Sequence, residues 1–178
     1  ADAAVALYFT LAVTYPSTAS LGGGGICLVY NPDEEKGDVA EIIEFYAGAA
    51  SSPDIRPRRP NAIPGAVRGM YALHARYGSI PWSQLLVPAE GFAILGHRVS
   101  RALAYDIRIA GPSLFSGKEL KDILQDDYGS PVSEGYLLRQ FNLASVLSNL
   151  RVKGAGDFYN GSVARALVSR ISEADGAL

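Results

Sequence analysis

The stretch STASLGGGGICLVY, residues 17–30, decides how this 178-residue chain folds. Its four consecutive glycines follow one apolar run, residues 3–13, and precede another, ICLVY at 26–30. A phosphate-binding loop has the opposite order, with a strand before the glycines and a helix after them, and a Walker loop adds Lys and Ser or Thr. Ile26 and Cys27 stand at those last two positions here, so the order favours a tight backbone passage between a buried helix and a buried strand.

The runs on either side of the glycines predict one helix and one hairpin. Residues 2–14 predict a helix that Asp2 caps and that is apolar on every face, as expected of an element covered on all sides. The runs at 26–30 and 39–46, separated by the turn-rich NPDEEKGD, predict two antiparallel strands. Residues 47–63 are rich in proline and small residues, which predicts a loop or an extended segment without its own core.

The rest of the chain is predicted to be mostly helical. Pro64 suits a first helical turn, Gly78 suits the cap that ends this helix, and a second helix is predicted over 81–95. Helical periodicity returns at 99–107, where Ser100 or Val99 lies near the start, and again at 143–150 and 162–171. A helix, a hairpin and then a run of helices favour an α+β fold over a doubly wound parallel sheet.

Composition excludes several classes of protein. The net charge is −2, so the chain has no basic field for nucleic acid or an anionic membrane surface. One cysteine and two distant histidines predict neither a disulfide framework nor a metal site, and we expect no cofactor. The run at 3–13 is too short to span a bilayer. Without an initiating Met or a targeting pattern, Ala1 is expected to be a fragment boundary.

Five blocks of the sequence together resemble the γ-glutamyltransferase (γ-glutamyltranspeptidase) family. The first is DAAVALYFTLAVTYPSTASLGGGGICLVY, residues 2–30, which is similar to the DAAVA helix, glycine-rich turn and strand that open the family. The other four follow in the same order: PGAVRGMYALHARYGSIPWSQLLVPA (64–89), GHRVSRALAYDI (96–107), RQFNLASVL (139–147) and GAGDFYNGSVARALV (154–168). Because the blocks span nearly the whole chain, the resemblance is specific, whereas four glycines alone are not.

The resemblance implies an N-terminal nucleophile hydrolase fold, which is an αββα sandwich. It also implies an enzyme of glutathione metabolism, made as a precursor protein that cleaves itself into a large and a small subunit. Residues 1–178 then form an N-terminal portion of the large subunit in a heterodimer, and the remainder lies in another chain or is absent from a truncated relative. The family's nucleophile is the threonine that begins the small subunit, so no catalytic residue is expected in this chain. Relatives are typically secreted or periplasmic, which implies the same location here.

The sequence departs from the family pattern after the second strand. The family carries an arginine there that grips the α-carboxylate of the γ-glutamyl group, whereas this chain has Tyr46, followed by Ala47. A phenol donates one hydrogen bond but has no positive charge, so the loss removes about 1.5–3 kcal/mol unless another residue replaces the arginine. The candidates for substrate binding are therefore Tyr46 and three downstream arginines that could reach back: Arg56, Arg58 and Arg59.

Two functions remain open. The chain is either part of an enzyme that transfers or hydrolyses a γ-glutamyl or other small acyl group, or a catalytically silent relative that serves as a structural or interaction subunit of a larger assembly. In either case the glycine loop, Gly22, Gly23, Gly24 and Gly25, has a geometric role.

The remaining polar residues have ordinary structural interpretations. His74 is expected at the edge of the core, His97 in a turn, and Cys27 as a small core residue. Glu41 and Glu44 are expected on opposite faces of one strand, so they cannot form an acid–base pair.

Overall fold

The structure, a computed structural model, describes residues 1–31, 39–49, 59–173 and 176–177, and it is a mixed α+β fold, as the sequence predicts. The helices are α1 (Asp2–Thr14), α2 (Ala66–Tyr77), α3 (Trp82–Leu85), α4 (Val87–Leu95), α5 (Arg101–Ala110), α6 (Lys118–Leu124), α7 (Phe141–Lys153), α8 (Ala155–Asn160) and α9 (Ser162–Glu173), and a 3₁₀ turn covers Gly111–Phe115. The strands are β1 (Gly25–Asn31), β2 (Val39–Phe45), β3 (Gly48–Ala49), β4 (Arg59–Pro60), β5 (Ala62–Ile63), β6 (His97–Arg98), β7 (Leu137–Leu138) and β8 (Gly176–Ala177). The pairs β1–β2, β3–β5 and β6–β7 are antiparallel, whereas β4 and β8 are parallel.

The β1–β2 hairpin has one covered face and one open face. Leu28 lies opposite Ile42, and Gly25 lies opposite Phe45. Ile43 and Phe45 are buried on the inner face, whereas Leu28 and Ile42 are 68% and 59% exposed on the outer face. Since side chains alternate along a strand, the helices cover only one side of this hairpin.

Helix α1 is buried on one side only, so the expectation that it is covered all round is wrong for the described residues. Val5, Phe9 and Val13 are fully buried, but Leu7 is 57% exposed. Asp2 also does not cap its own helix, because its carboxylate accepts hydrogen bonds from the backbone amides that follow α2. These bonds hold the pKa of Asp2 below its usual value and tie the start of α1 to the end of α2.

The predicted helices are confirmed, with one break. The segment over 81–95 divides at Leu86 into α3 and α4, and Pro88 lies in the first turn of α4, where its missing N–H costs nothing. Of the two residues predicted near the start of α5, Ser100 is the cap, since its side chain accepts a hydrogen bond from the Leu103 amide. His97 was expected in a turn, but it lies in β6, paired with Leu138, and is buried.

Two hydrophobic clusters form the core. The first gathers the inner face of the hairpin with α1, α2, α4, α7 and α8, and the second gathers α5, α6, β7 and Val132. Gln140 fastens three helices of the first cluster, because its side-chain amide donates to the Val13 carbonyl at 2.8 Å and its backbone amide donates to the Ala93 carbonyl at 2.9 Å. Fully buried side chains such as Phe9 and Leu147 each contribute about 1.5–3 kcal/mol.

Candidate functional site

The glycine tract lies against the carboxyl end of β2. A Cβ atom at Gly24 would lie 2.4 Å from the Ala47 nitrogen, 2.6 Å from the Phe45 carbonyl oxygen and 2.8 Å from the Tyr46 carbonyl carbon. All three are backbone atoms, which cannot swing away as a side chain does. Gly24 does not have a left-handed φ, so the close approach, rather than an unusual conformation, is why this position requires glycine.

Two glycines at the start of α2, Gly65 and Gly69, pack against Phe45, the first against its backbone and the second against its side chain. A Cβ at Gly65 would lie 2.1 Å from the Phe45 carbonyl oxygen, and one at Gly69 would lie 2.1 Å from the Phe45 ring. These two residues stand four apart on one helix face. We call Gly24, Gly65 and Gly69, with the Phe45–Tyr46 backbone between them, the glycine junction. The sequence analysis recognised only the tract, although the spacing PGAVRG carried the signal for the other two.

Hydrogen bonds attach the tract to both helices. The Gly23 carbonyl accepts from the amides of Gly65 and Ala66, both at 2.9 Å, and so occupies the amide groups that begin α2. The Tyr8 hydroxyl donates to the Ser20 carbonyl at 2.8 Å, just before the glycines. Burial raises the pKa of Tyr8, which keeps this hydroxyl protonated as a donor. The tract is thus a packed joint, and the amides at the start of α2 already have a partner.

Tyr46 is presented at the edge of this junction. Its backbone is clasped between Gly24 and Gly65, but the residue is 56% exposed. Because it follows the buried Phe45, strand alternation continues the outer face of β2, where Glu44 and Ile42 are also exposed. A phenol at this place can donate one hydrogen bond, can accept another and can pack against an apolar group. The exposed Glu44 precedes Tyr46 by two residues in the sequence.

The predicted arginines are largely untested. Arg56 and Arg58 lie outside the described residues, and of Arg59 only the backbone is described, paired in β4 with β8. Whether any of the three reaches Tyr46 therefore stays a prediction.

The structure also gives the positions and contacts of the two glutamates of β2 and of the two histidines. Glu41 accepts a hydrogen bond from Tyr77 and pairs with Arg76 on the inner side, whereas Glu44 is exposed, which confirms that they lie on opposite faces. His74 is half-buried, with Nε2 2.8 Å from the Ile80 carbonyl. Both ring nitrogens of the buried His97 lack a hydrogen-bond partner, and burial lowers its pKa.

The part of the chain that the structure describes contains neither a metal-binding cluster nor a membrane-spanning helix. No group of three or more His, Cys, Asp or Glu side chains there could hold a metal ion. The helices within it are all too short or too polar to cross a bilayer.

A cavity of about 880 Å³ lies apart from the glycine junction, against the second hydrophobic cluster. It is lined by α5, the 3₁₀ turn, the end of α6 and residues 131–134. The sequence analysis missed it, although Arg101, Tyr105 and Arg108 recur at helical spacing.

Comparison with known proteins gives a consistent result. The family model described as gamma-glutamyltranspeptidase matches residues 1–178. The chain is 31% identical over 198 residues to the glutathione hydrolase proenzyme of Pseudomonas aeruginosa. This alignment covers 99% of the present chain and 33% of that protein. The chain therefore spans about a third of the length of this curated relative.

Solved structures show the same similarity. The gamma-glutamyltranspeptidase of Helicobacter pylori superposes with a TM-score of 0.83 at 27% identity, over 97% of this chain and 53% of that one. The transpeptidase enzyme CapD of Bacillus anthracis superposes with a TM-score of 0.80 at 30% identity, over 96% of this chain and 56% of that one.

Proposed function

The chain belongs to the gamma-glutamyltranspeptidase family, and from this premise we propose that it takes part in acyl transfer or hydrolysis through a threonine that lies outside these 178 residues. Its fold is that of the N-terminal nucleophile hydrolases, and it corresponds to the N-terminal part of the large subunit. The observation that carries the proposal is the family match over all 178 residues. A match of that extent includes the helix, the glycine tract, the hairpin and the helices that follow.

The nucleophile is proposed to come from elsewhere because no threonine of this chain is suited to the role. Thr10 and Thr14 lie in α1, and Thr18 lies just beyond it, with its hydroxyl bonded to the Tyr15 carbonyl. None of the three begins a chain, so none carries a free α-amine to act as its base. We propose that autocleavage of a precursor exposes such a threonine on a small subunit, which forms a heterodimer with the subunit that contains residues 1–178.

The proposed chemistry is a two-step acyl transfer. The threonine hydroxyl attacks the donor's amide carbonyl while its α-amine takes the proton, and the C–N bond then breaks as the leaving amine receives that proton. The resulting ester is resolved by water in hydrolysis or by a second amine in transfer. The hairpin and the glycine junction would form the wall that holds the acyl group.

Tyr46 is proposed to set which acyl group this wall accepts. An arginine would grip a carboxylate through two charge-assisted hydrogen bonds, whereas the phenol offers one neutral bond and Glu44 on the same face repels an anion. A donor without an α-carboxylate is therefore favoured, unless Arg56, Arg58 or Arg59 supplies the missing charge.

Substitution of Tyr46 tests this selectivity. In the natural protein that carries this chain, Tyr46→Arg should raise kcat/KM for γ-glutamyl-p-nitroanilide about 10- to 100-fold. The matched donor 4-aminobutyryl-p-nitroanilide differs only in lacking the α-carboxylate, and its kcat/KM should change less than threefold. Equal changes for the two donors would refute the role of Tyr46 without bearing on the nucleophile.

The second candidate is a catalytically silent relative that keeps the fold for a structural or interaction role in a larger assembly. The specific observation in its favour is Tyr46 at the position of the expected arginine. N-terminal sequencing of every chain in the purified natural protein, combined with the p-nitroanilide assay, separates the two candidates. If no chain begins with threonine and no nitroaniline is released, the enzymatic proposal is wrong.

The proposed location is the periplasm or the extracellular medium, by resemblance to the family. Fractionation of the source cells, followed by detection of the chain in each fraction, tests this location.

A further inference from the structure

The cavity against α5 has two opposite walls, one of which is the helix itself. Arg101, Ala104, Tyr105 and Arg108 face it at spacings of three, four and seven residues, so they form one stripe along the helix. The opposite wall, residues 131–134, is held at both ends. The Val132 amide donates to the Leu124 carbonyl at 2.9 Å, and the Gly135 amide donates to the Val99 carbonyl at 2.9 Å.

A hydrogen-bonded turn, residues 126–130, directly precedes that opposite wall. The Asp126 carboxylate accepts hydrogen bonds from the amides of Tyr128 and Ser130 at 3.0 and 2.9 Å. The Asp126 amide in turn donates to the Ser130 carbonyl at 2.8 Å. The cavity is therefore built from backbone that is hydrogen-bonded on both sides, which suits a preformed binding site.

The chemistry of the cavity is apolar with an excess of positive charge. Its apolar surface comes from Ile107, Phe115 and Val132, among others, and its volume of about 880 Å³ is in the range of small-molecule sites. Three cations and one carboxylate line it, although the whole chain has a net charge of −2.

Two of the three cations are free to bind a ligand. Arg101 is already paired with the carboxylate of Glu134, through contacts of 3.1 and 3.4 Å. Arg108 lies over the Tyr105 ring, 5.2 Å from its centroid, which orients the guanidinium along the wall. Within the described part of the chain, neither Arg108 nor Lys121 pairs with a carboxylate.

We propose that this cavity binds a small amphipathic anion, whose aromatic or branched apolar body fills the pocket and whose anionic group pairs with Arg108 and Lys121. The apolar wall supplies the affinity, and the two unpaired cations select an anion over a neutral molecule of the same shape. No residue that lines the cavity belongs to the first hydrophobic cluster or to the glycine junction, so this site is separate from the proposed acyl site.

A pair of fluorescent dyes tests the proposal on the natural protein. The anion 8-anilinonaphthalene-1-sulfonate and the neutral N-phenyl-1-naphthylamine share their ring systems and differ in the sulfonate. The double variant Arg108→Gln and Lys121→Gln should weaken binding of the anionic dye about tenfold at low salt and change binding of the neutral dye less than twofold. Lys118→Gln removes one positive charge from α6 outside the cavity and should leave both dyes bound as before.

A second pair of variants tests the position of the bound dye. Ala104→Trp places a large ring in the cavity and should abolish saturable binding of both dyes, whereas Ala102→Trp on the exposed side of α5 should not. The proposal is overturned if Ala104→Trp leaves the anionic dye bound, or if the double variant and Lys118→Gln have equal effects. Because no turnover is measured, the outcome is independent of the proposed acyl transfer.

Discussion

Replacement of Gly24 by alanine should destabilise the protein because it forces two backbone segments apart. The added Cβ would lie 2.4, 2.6 and 2.8 Å from three backbone atoms of residues 45–47, so the end of β2 must move by roughly 1 Å to restore ordinary contact distances. Overpacking of this kind costs about 1–3 kcal/mol, and the lower entropy of the unfolded chain returns about 0.4–1 kcal/mol. We expect a net loss of about 1–2 kcal/mol, which corresponds to roughly 2–8 °C in Tm for a domain of this size.

Gly22→Ala is the matched control within the same tract. Its Cβ would meet nothing nearer than 3.8 Å, and its φ lies outside the left-handed region. The same substitution should therefore be neutral, or stabilising by up to about 1 kcal/mol. Urea and thermal unfolding of the natural protein, followed by far-UV circular dichroism, measures both variants. If Gly24→Ala is as stable as Gly22→Ala, the close-approach explanation of the glycine tract is wrong.

Three further substitutions test single contacts. Gln140→Leu should lower the free energy of unfolding in urea by about 1–3 kcal/mol, because it leaves the buried Val13 carbonyl without its donor. Gln84→Leu, on the exposed side of α3, is the control and should have little effect, so equal losses for the two variants would contradict this prediction. Asp2→Asn should lower the Tm relative to the native protein above about pH 4, and this difference in Tm should vanish as pH falls through the lowered pKa of the native carboxyl. A difference in Tm that persists at lower pH would count against the contacts between Asp2 and the backbone amides. Burial holds the pKa of His97 below 6.5, so native stability should decline as pH falls below about 6.5, and His97→Leu should flatten that decline; an unchanged pH profile of Tm would exclude His97 as its source.

Elements with a strong periodic pattern could be predicted from the sequence, and elements fixed by a single contact could not. The hairpin was predicted because its two apolar runs flank a turn-rich segment, and α5 was predicted from its helical periodicity, with Ser100 or Val99 near its start. His97 was placed in a turn because it follows a glycine. Its strand exists only through pairing with Leu138, forty-one residues later in the chain, which no local pattern reports.

The candidate site was predicted in outline only. The reversed order of helix and strand was enough to interpret the glycine tract as a packed joint. The partners of that joint, Gly65 and Gly69, depend on how α2 crosses the end of β2, which is tertiary information. The cavity was missed for the same reason, since its opposite wall, residues 131–134, lies more than twenty residues beyond the end of α5 at Ala110.

The outer face of the β1–β2 hairpin carries apolar side chains that parts of the family fold beyond this chain would cover. Ile26, Leu28 and Ile42 are each more than half exposed there, and a two-stranded hairpin with an apolar face in water is marginally stable. The αββα sandwich that the family fold implies would cover this face with its second sheet, and a fully covered aliphatic side chain contributes about 1.5–3 kcal/mol.

Leu28→Gln therefore should lower the Tm of the natural protein and weaken the association of its chains, although Leu28 belongs to neither hydrophobic cluster of the described residues. Leu95→Gln, the same substitution at a side chain that is 75% exposed on α4 and outside the hairpin, is the control and should change the Tm by less than about 2 °C. If Leu28→Gln behaves like Leu95→Gln, this face of the hairpin is open to solvent in the finished protein. The acyl wall would then have to be sought on the other side of the glycine junction.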